Sequence, residues 1–195
     1  MIDIQLPMTE ATARSLKQGD EVALHGRMVT ARDVAHKYMI EKRPAWLKPI
    51  LTGSVIYHCG PVVQKIKGQY VFTSAGPTTS IREEPYQGDV IAHYGVRGVL
   101  GKGGMGPKTQ EALKRHGAVY LHAVGGAAAL LAQRVKRVDS VFMLEEFGVP
   151  EAFWVIDVEA FPAVVTMDSH GSSLHETVSR RSSDRVTAIF QTIKK

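Results

Sequence analysis

The sequence predicts an α/β fold with a mixed sheet and flanking helices. Two observations carry that expectation: β-branched and aromatic runs bounded by Gly and Pro read as strands, and strands and helices alternate in the middle of the chain while its flanks are strand-rich. A pure doubly wound sheet would alternate throughout, so it is not expected. At 195 residues, 44% of them hydrophobic and 22% charged, the chain has ordinary globular composition and enough length for one proper core. No linker, repeat or composition break divides it. It reads as a single domain over 1–195, with an N-terminal lead over 1–18 and a helical end over 174–195.

The first strand is expected at Glu21–Gly26, after the turn-like Gln18-Gly19-Asp20. Thr30 stands as an N-cap candidate, with Asp33 following, for a helix over Ala31–Lys42 that Pro44 stops. Strands follow at Ser54–His58, Tyr70–Ser74 and Val96–Leu100, the last running into Gly101-Lys102-Gly103-Gly104-Met105-Gly106. Pro107 suits the first position of a helix over about Lys108–His116. Ala118–His122 is a short apolar strand feeding a helix over Gly125–Val135, whose Arg134, Lys136 and Arg137 suit a C-terminal dipole. Two more strands are expected at Phe153–Val158 and Ala163–Met167, and a last helix at about Leu174–Thr192.

Composition bounds the function classes. No apolar run approaches the ~18 residues of a membrane span, and Met1–Thr9 shows no secretory pattern, so a cytoplasmic protein with no membrane partner is expected. The net charge of +5 and pI near 9.3 raise the question of nucleic acid. The cations are spread along the chain with no dense basic tract, so no nucleic-acid partner is expected; the same balance attracts a small dianion equally well. Cys59 is the single cysteine, which excludes an internal disulfide framework. One thiol also cannot hold an iron–sulfur cluster, which takes several.

Three segments could carry chemistry. Gly101–Gly106 matches G-x-G-x-x-G between a strand and a helix, but the stretch about twenty residues on is Val124-Gly125-Gly126-Ala127-Ala128, without the carboxylate that a dinucleotide site uses. Nor is it a Walker A loop, because Val96 stands where that motif has Gly and no Ser or Thr follows Lys102. Converging backbone N–H groups, a helix start and the Lys102 charge would still cradle a carboxylate or phosphate; a plain tight turn with an outward lysine is the alternative. In Ser74-Ala75-Gly76-Pro77-Thr78-Thr79-Ser80-Ile81-Arg82 the hydroxyls either cap a helix or face a ligand that Arg82 grips bidentately. A threonine used as a base there needs an activating partner. Arg32, at a helix start, opposes the dipole unless a ligand or Asp33 neutralises it; a surface pair with Asp33 is the alternative. His58 and Cys59, neighbours in a strand, point to opposite faces and are not expected to share a metal. No metal-ligand spacing appears among the other histidines, and Asp168-Ser169-His170-Gly171 reads as a turn.

Together, Thr30–Lys37, His58–Val62, Gly76–Arg82, Gly101–Gly106, Gly125–Leu130, Leu144–Pro150 and Pro162–Leu174 resemble the beta subunit, or C-terminal domain, of class I fumarases and L-tartrate dehydratases. The ordered combination of Gly-Pro-Thr-Thr-Ser, Gly-Lys-Gly-Gly-Met and Asp-Ser-His-Gly is what makes the likeness specific. It implies a swivelling β/β/α domain docked on an alpha subunit that holds a [4Fe–4S] cluster, hence a hetero-oligomeric hydro-lyase acting on a small dicarboxylate. It further implies Thr78 as the base that removes the carbon-bound proton, with Arg32, Arg82 and Lys102 as carboxylate clamps. Leu144–Glu151 and Gly125-Gly126 resemble the fumarase side of the family, which points to fumarate and malate over tartrate.

Overall fold

The computed structural model describes residues 1–193, so of the expected helical end over 174–195 the last two positions lie outside the described residues. Apolar side chains on both faces of the central strands call for cover on both sides, and the chain supplies it by curling the sheet onto itself. Strands β1 (Ile2–Leu6), β2 (Glu21–Thr30), β3 (Val55–Tyr57), β6 (Gly98–Gly101) and β7 (Val119–His122) lie side by side in that order, all parallel. Strand β9 (Phe153–Met167) runs antiparallel to β7, to β2 and to the edge strand β8 (Val135–Phe142). Because β9 pairs with both β7 and β2, strands β2, β3, β6, β7 and β9 form a closed ring. A hairpin of β4 (Val62–Ile66) and β5 (Gln69–Ser74) turns at Lys67-Gly68 and stands apart from the main sheet. The architecture is mixed α/β, as the sequence indicates.

Alternation along the strands feeds two cores. Val22, Leu24, Met28, Val55, Tyr57, Leu100, Leu121, Trp154 and Ile156 belong to the first, which Tyr70 and Phe72 of the hairpin join by edge contacts to the Trp154 ring at 5.1 and 5.8 Å. Their sequence neighbours Val29, Ile56, Val99, Tyr120, Phe153 and Val155 face the second. There they meet α2 (Asp33–Lys42), α4 (Glu84–Tyr94) and α5 (Pro107–His116) through Ala35, Met39, Val90, Ile91 and Leu113. The remaining helices are α1 (Glu10–Ser15), α3 (Lys48–Leu51), α6 (Ala128–Ala132), α7 (Leu144–Phe147) and α8 (Leu174–Ile193). No helix among the described residues is long and apolar enough to cross a membrane.

Several elements differ from expectation, each for an identifiable reason. The lead over 1–18 contains an edge strand and a helix, with Ile4, Met8 and Ala13 buried in the first core. Helix α2 starts at Asp33 with Arg32 at the cap position; Thr30 stays in β2, where its hydroxyl donates to the Ala152 carbonyl (3.3 Å) and accepts from Trp154 N (3.2 Å). The helix expected over Gly125–Val135 shrinks to Ala128–Ala132. Gly125-Gly126 form a turn, and Val135, Val138 and Val141 pack on the first core as part of β8. Arg134, Lys136 and Arg137 therefore do not complement a helix dipole; Lys136 and Arg137 pair with Glu159 and Asp139 across and along the sheet. The two strands expected near the C-terminus are one, bent at Ala160, whose φ of 48° lies in the left-handed region.

That bend gives a direct test. An L-alanine in the left-handed region costs roughly 1–2 kcal/mol, more than the extra chain entropy of glycine. Ala160→Gly should therefore raise stability slightly, by about 0.5 kcal/mol, and Ala160→Val should lower it, read from chemical denaturation midpoints.

Candidate functional site

Parallel strands whose carboxyl ends point the same way gather their exit loops on one rim, where open α/β sheets hold ligands. Here β2 delivers Arg32, β3 delivers His58, Cys59 and Gly60, and β6 delivers Gly101 and Lys102. Between the exits of β3 and β6 the chain inserts residues 77–80 as a short additional ribbon. His58 N still donates to Leu100 O (2.8 Å), but beyond it Thr78 N donates to His58 O (2.7 Å) and Lys102 N to Thr78 O (3.2 Å). Ser80 N then donates to Lys102 O (3.0 Å), and Thr79 bridges Lys102 in parallel register. A Cβ at Gly101 would collide with Ser80 Oγ, so glycine is what lets the ribbon come this close.

The hydroxyls do not cap the following 3₁₀ turn (Ser80–Glu83); Thr79 occupies the cap position without a side-chain cap bond. The half-buried Thr78 hydroxyl donates to His58 O at 3.1 Å, leaving its oxygen lone pairs free of that bond. Ser80 Oγ is buried, 2.8 Å from His58 Nδ1 and accepting from the Tyr120 hydroxyl at 2.9 Å.

Arg82 pairs with Asp33 (Nη2 to Oδ2, 3.0 Å), and the same carboxylate oxygen lies 3.8 Å from Arg32 Nη2. The pairing expected between Arg32 and Asp33 is thus the weaker of the two. Glu151, invisible to local reading because it lies far along the chain, supports Arg32 instead. Its Oε1 is 3.5 Å from Arg32 Nε, while its Oε2 accepts from Val34 N at 2.9 Å and satisfies a free donor at the start of α2. Gly60 completes the slot: a Cβ there would strike Arg32 Nη1 and come within 3.1 Å of Arg32 Cδ and of Pro150 O. Lys102 has no ion-pair partner among the described residues, and its Cδ lies 3.7 Å from where a Cβ of Gly125 would sit. The four expected residues are linked by contact, Thr78 to Lys102 through the ribbon and Arg32 to Arg82 through Asp33.

The glycine-rich loop departs from its expected role as an anion cradle. Glu84 already occupies the α5 N-terminus: its carboxylate accepts from Gly106 N (2.8 Å), Lys108 N (2.9 Å), Thr109 N (3.2 Å) and Thr109 Oγ1 (2.6 Å). The helix dipole is thereby satisfied from within, which removes the physical basis for a phosphate or nucleotide at that point. Lys102 remains available because it belongs to the strand exit, ahead of the helix.

Beneath the rim lies a buried polar network. His36 Nδ1 faces Arg32 O at 2.8 Å, so it carries the proton; burial holds the His36 pKa down, so the ring is neutral and its Nε2 accepts. That Nε2 is 2.8 Å from the Gln87 Oε1 position, which is also 2.9 Å from His58 Nε2, while Gln87 Nε2 has no partner among the described residues. With the amide turned over, its NH₂ donates to both rings. Burial, then the neighbouring His36, push the His58 pKa well down, so His58 is neutral as well. Burial pushes the Cys59 thiol up to about 12, far from the thiolate a cluster or metal needs. A lone buried thiol with two neutral, engaged imidazoles does not fit an iron–sulfur cluster.

Residues 1–178 match the family model described as fumarase C-terminus. A protein of Geobacillus stearothermophilus provisionally named fumarate hydratase class I is 51% identical over 189 residues, 96% of this chain; the chain spans only 36% of that relative's length. A protein of Methanocaldococcus jannaschii provisionally named L(+)-tartrate dehydratase subunit beta is 42% identical over 186 residues, 94% of this chain and 95% of that one. The L(+)-tartrate dehydratase subunit beta of Escherichia coli is 39% identical over 170 residues, 86% and 83% of the two chains.

Two outcomes follow from the geometry. Gly60→Ala should expel the Arg32 guanidinium from its slot and cost about 1–3 kcal/mol of stability, visible in a structure of the variant and in its denaturation curve. Cys59 should resist alkylation at pH 8 in the native protein and react on unfolding, since the thiol is buried and protonated.

Proposed function

The chain belongs to the fumarase C-terminus family, and from that membership we propose that it is the beta subunit of a hydro-lyase that interconverts malate and fumarate. The observation that carries the reading is the rim itself: three cations and a hydroxyl, from three separate strand exits, held in one contiguous cluster. A dicarboxylate presents two anionic ends, and guanidinium forks grip carboxylates bidentately while an ammonium adds a point charge. Arg32, Arg82 and Lys102 bind and orient the substrate, and Thr78 faces the carbon that loses its proton.

Dehydration takes a proton from one carbon and hydroxide from its neighbour, with the C–H electron pair becoming the new π bond. Thr78 Oγ1 receives that proton, which requires it to be an alkoxide first. Within this chain its hydroxyl contacts only the His58 carbonyl among hydrogen-bond partners of the described residues, and a carbonyl cannot take its proton. The activating base therefore comes from an alpha subunit docked over the rim. That partner also holds the [4Fe–4S] cluster, because the donors of this chain do not fit one. The cluster would supply Lewis-acid assistance to the departing hydroxide. An incomplete site agrees with the surface: clefts of about 300 to 640 Å³ lie elsewhere, and none is lined by Arg32, Thr78, Arg82 or Lys102.

Fumarate and malate are preferred as substrates because the relative named as a fumarate hydratase shares 51% identity, against 42% and 39% for those named as tartrate dehydratase subunits. L-tartrate is the second reading, favoured by the near-equal length of the Methanocaldococcus protein. Anaerobic co-purification with the partner, followed by parallel assays on malate, fumarate and L-tartrate, decides between them. In that complex Thr78→Ala should lower turnover by about 10²–10⁴ while retaining dicarboxylate binding; near-normal turnover removes Thr78 from the role of base. The isolated chain should be colourless, bind no iron stoichiometrically and lack hydratase activity.

A further inference from the structure

One ionisable group at the rim has no part in that scheme. Glu83 ends the short turn that carries Arg82 and is fully buried, at 0% exposure. Neither of its carboxylate oxygens has a hydrogen-bond partner among the described residues. A charged carboxylate in such a place is disfavoured unless it is paired. The arginines within reach, Arg82 on its own turn and Arg32 at the start of α2, are already engaged with Asp33 and Glu151.

The surroundings define its charge state. Burial and then the Asp33 carboxylate raise the Glu83 pKa to about 7, against the lowering effect of Arg82 and Arg32. Tyr120, on β7, also lies within electrostatic reach, and burial keeps its phenol protonated. His36 on α2 and His58 at the β3 exit are neutral, and Gln87, one turn further along α4, carries no charge. Arg32, Arg82 and Lys102 bring three positive charges to the rim, and Asp33 and Glu151 bring two negative ones. With Glu83 neutral, one positive charge remains to attract a dianion. With Glu83 ionised, none does.

We propose that Glu83 is the proton switch of the anion site: the dicarboxylate binds the form in which Glu83 is protonated, and its binding draws a proton onto that carboxyl. The proposal rests on the dicarboxylate reading and adds a residue to it. The sign follows from electrostatics. A dianion beside Arg32 and Arg82 adds negative potential at Glu83, which favours the neutral carboxyl and raises its pKa in the complex. Affinity is then full below the midpoint of the free protein and falls as pH rises from there to the midpoint of the complex.

The test uses the assembled enzyme and succinate, a saturated dicarboxylate that cannot be dehydrated. Calorimetry in two buffers of different ionisation enthalpy reads proton uptake directly. In the wild type, binding should take up a fraction of a proton near pH 7, and affinity should fall about three- to tenfold between pH 6.5 and 8.5. Glu83→Gln, a neutral isostere, should hold the affinity at its low-pH value throughout and abolish the uptake. Should that variant fail to assemble, carbon-13 NMR of the wild-type carboxyls gives the same answer: a Glu83 midpoint near neutrality that climbs with succinate. Proton uptake unchanged in Glu83→Gln, or a midpoint in the ordinary carboxylate range, overturns the proposal. Succinate binding with no uptake overturns the role of Glu83 alone, whereas no binding at any pH overturns the dicarboxylate reading with it.

Discussion

The rest of the rim depends on the place where β3 and β6 part and residues 77–80 enter between them. Strand pairing ends there, and the freed donors and acceptors of His58 and Lys102 would be left without partners in a largely buried position. The inserted ribbon takes them up: Thr78 N to His58 O, Lys102 N to Thr78 O and Ser80 N to Lys102 O. Satisfying the backbone thus fixes the functional side chains. Thr78 cannot move without breaking bonds to two strand exits, and Lys102 is held in register with Thr79. A hydroxyl on an unconstrained loop would have to lose its freedom each time substrate arrived.

The side-chain network below performs the same service from the other side. Tyr120, Ser80, His58, Gln87 and His36 connect β7, the ribbon, β3, α4 and α2 in one chain of short contacts. It is buried, so each group left without a partner would be costly, and that cost makes one arrangement preferred over its neighbours. The neutral histidines make the Gln87 amide orientation a matter of chemistry. With His36 Nδ1 committed to the Arg32 carbonyl, only an NH₂ group can serve both facing nitrogens. The network also anchors Arg32 O, joining the hydroxyl and the first clamp residue through a common support.

What the sequence disclosed was governed by range. Arg32, Thr78, Arg82 and Lys102 stood out because each lies beside a turn or a helix start with a local signature, and the ordered motifs reinforced one another. The parallel strands were legible as short β-branched runs between glycines. Residues whose meaning comes from distant partners were not. Glu84 reads as an ordinary acidic residue at the head of a helix until it is seen capping a different one. Glu151 and Gly60 acquire a role only when Arg32 arrives between them. The alanine- and leucine-rich run after Gly126 has strong helical propensity, yet Val135, Val138 and Val141 leave it for a strand because pairing with β9 buries them. Tertiary burial outweighed local preference there.

The division of chemistry between two chains follows from what this one lacks. His58 is the group nearest to hand for activating Thr78, since the hydroxyl already bonds to its carbonyl. Its ring, however, is turned inward. Both nitrogens are engaged by Ser80 and Gln87, and burial holds the ring neutral with a pKa too low to accept a proton readily near pH 7. A relay through His58 would require the buried network to take up a charge it has been built to exclude. The cations are no better suited to the task, since guanidinium groups remain protonated. In the proposed reaction, therefore, the proton on Thr78 can leave only outward, across the rim. The same surface that admits the substrate must also receive the partner that makes the threonine basic.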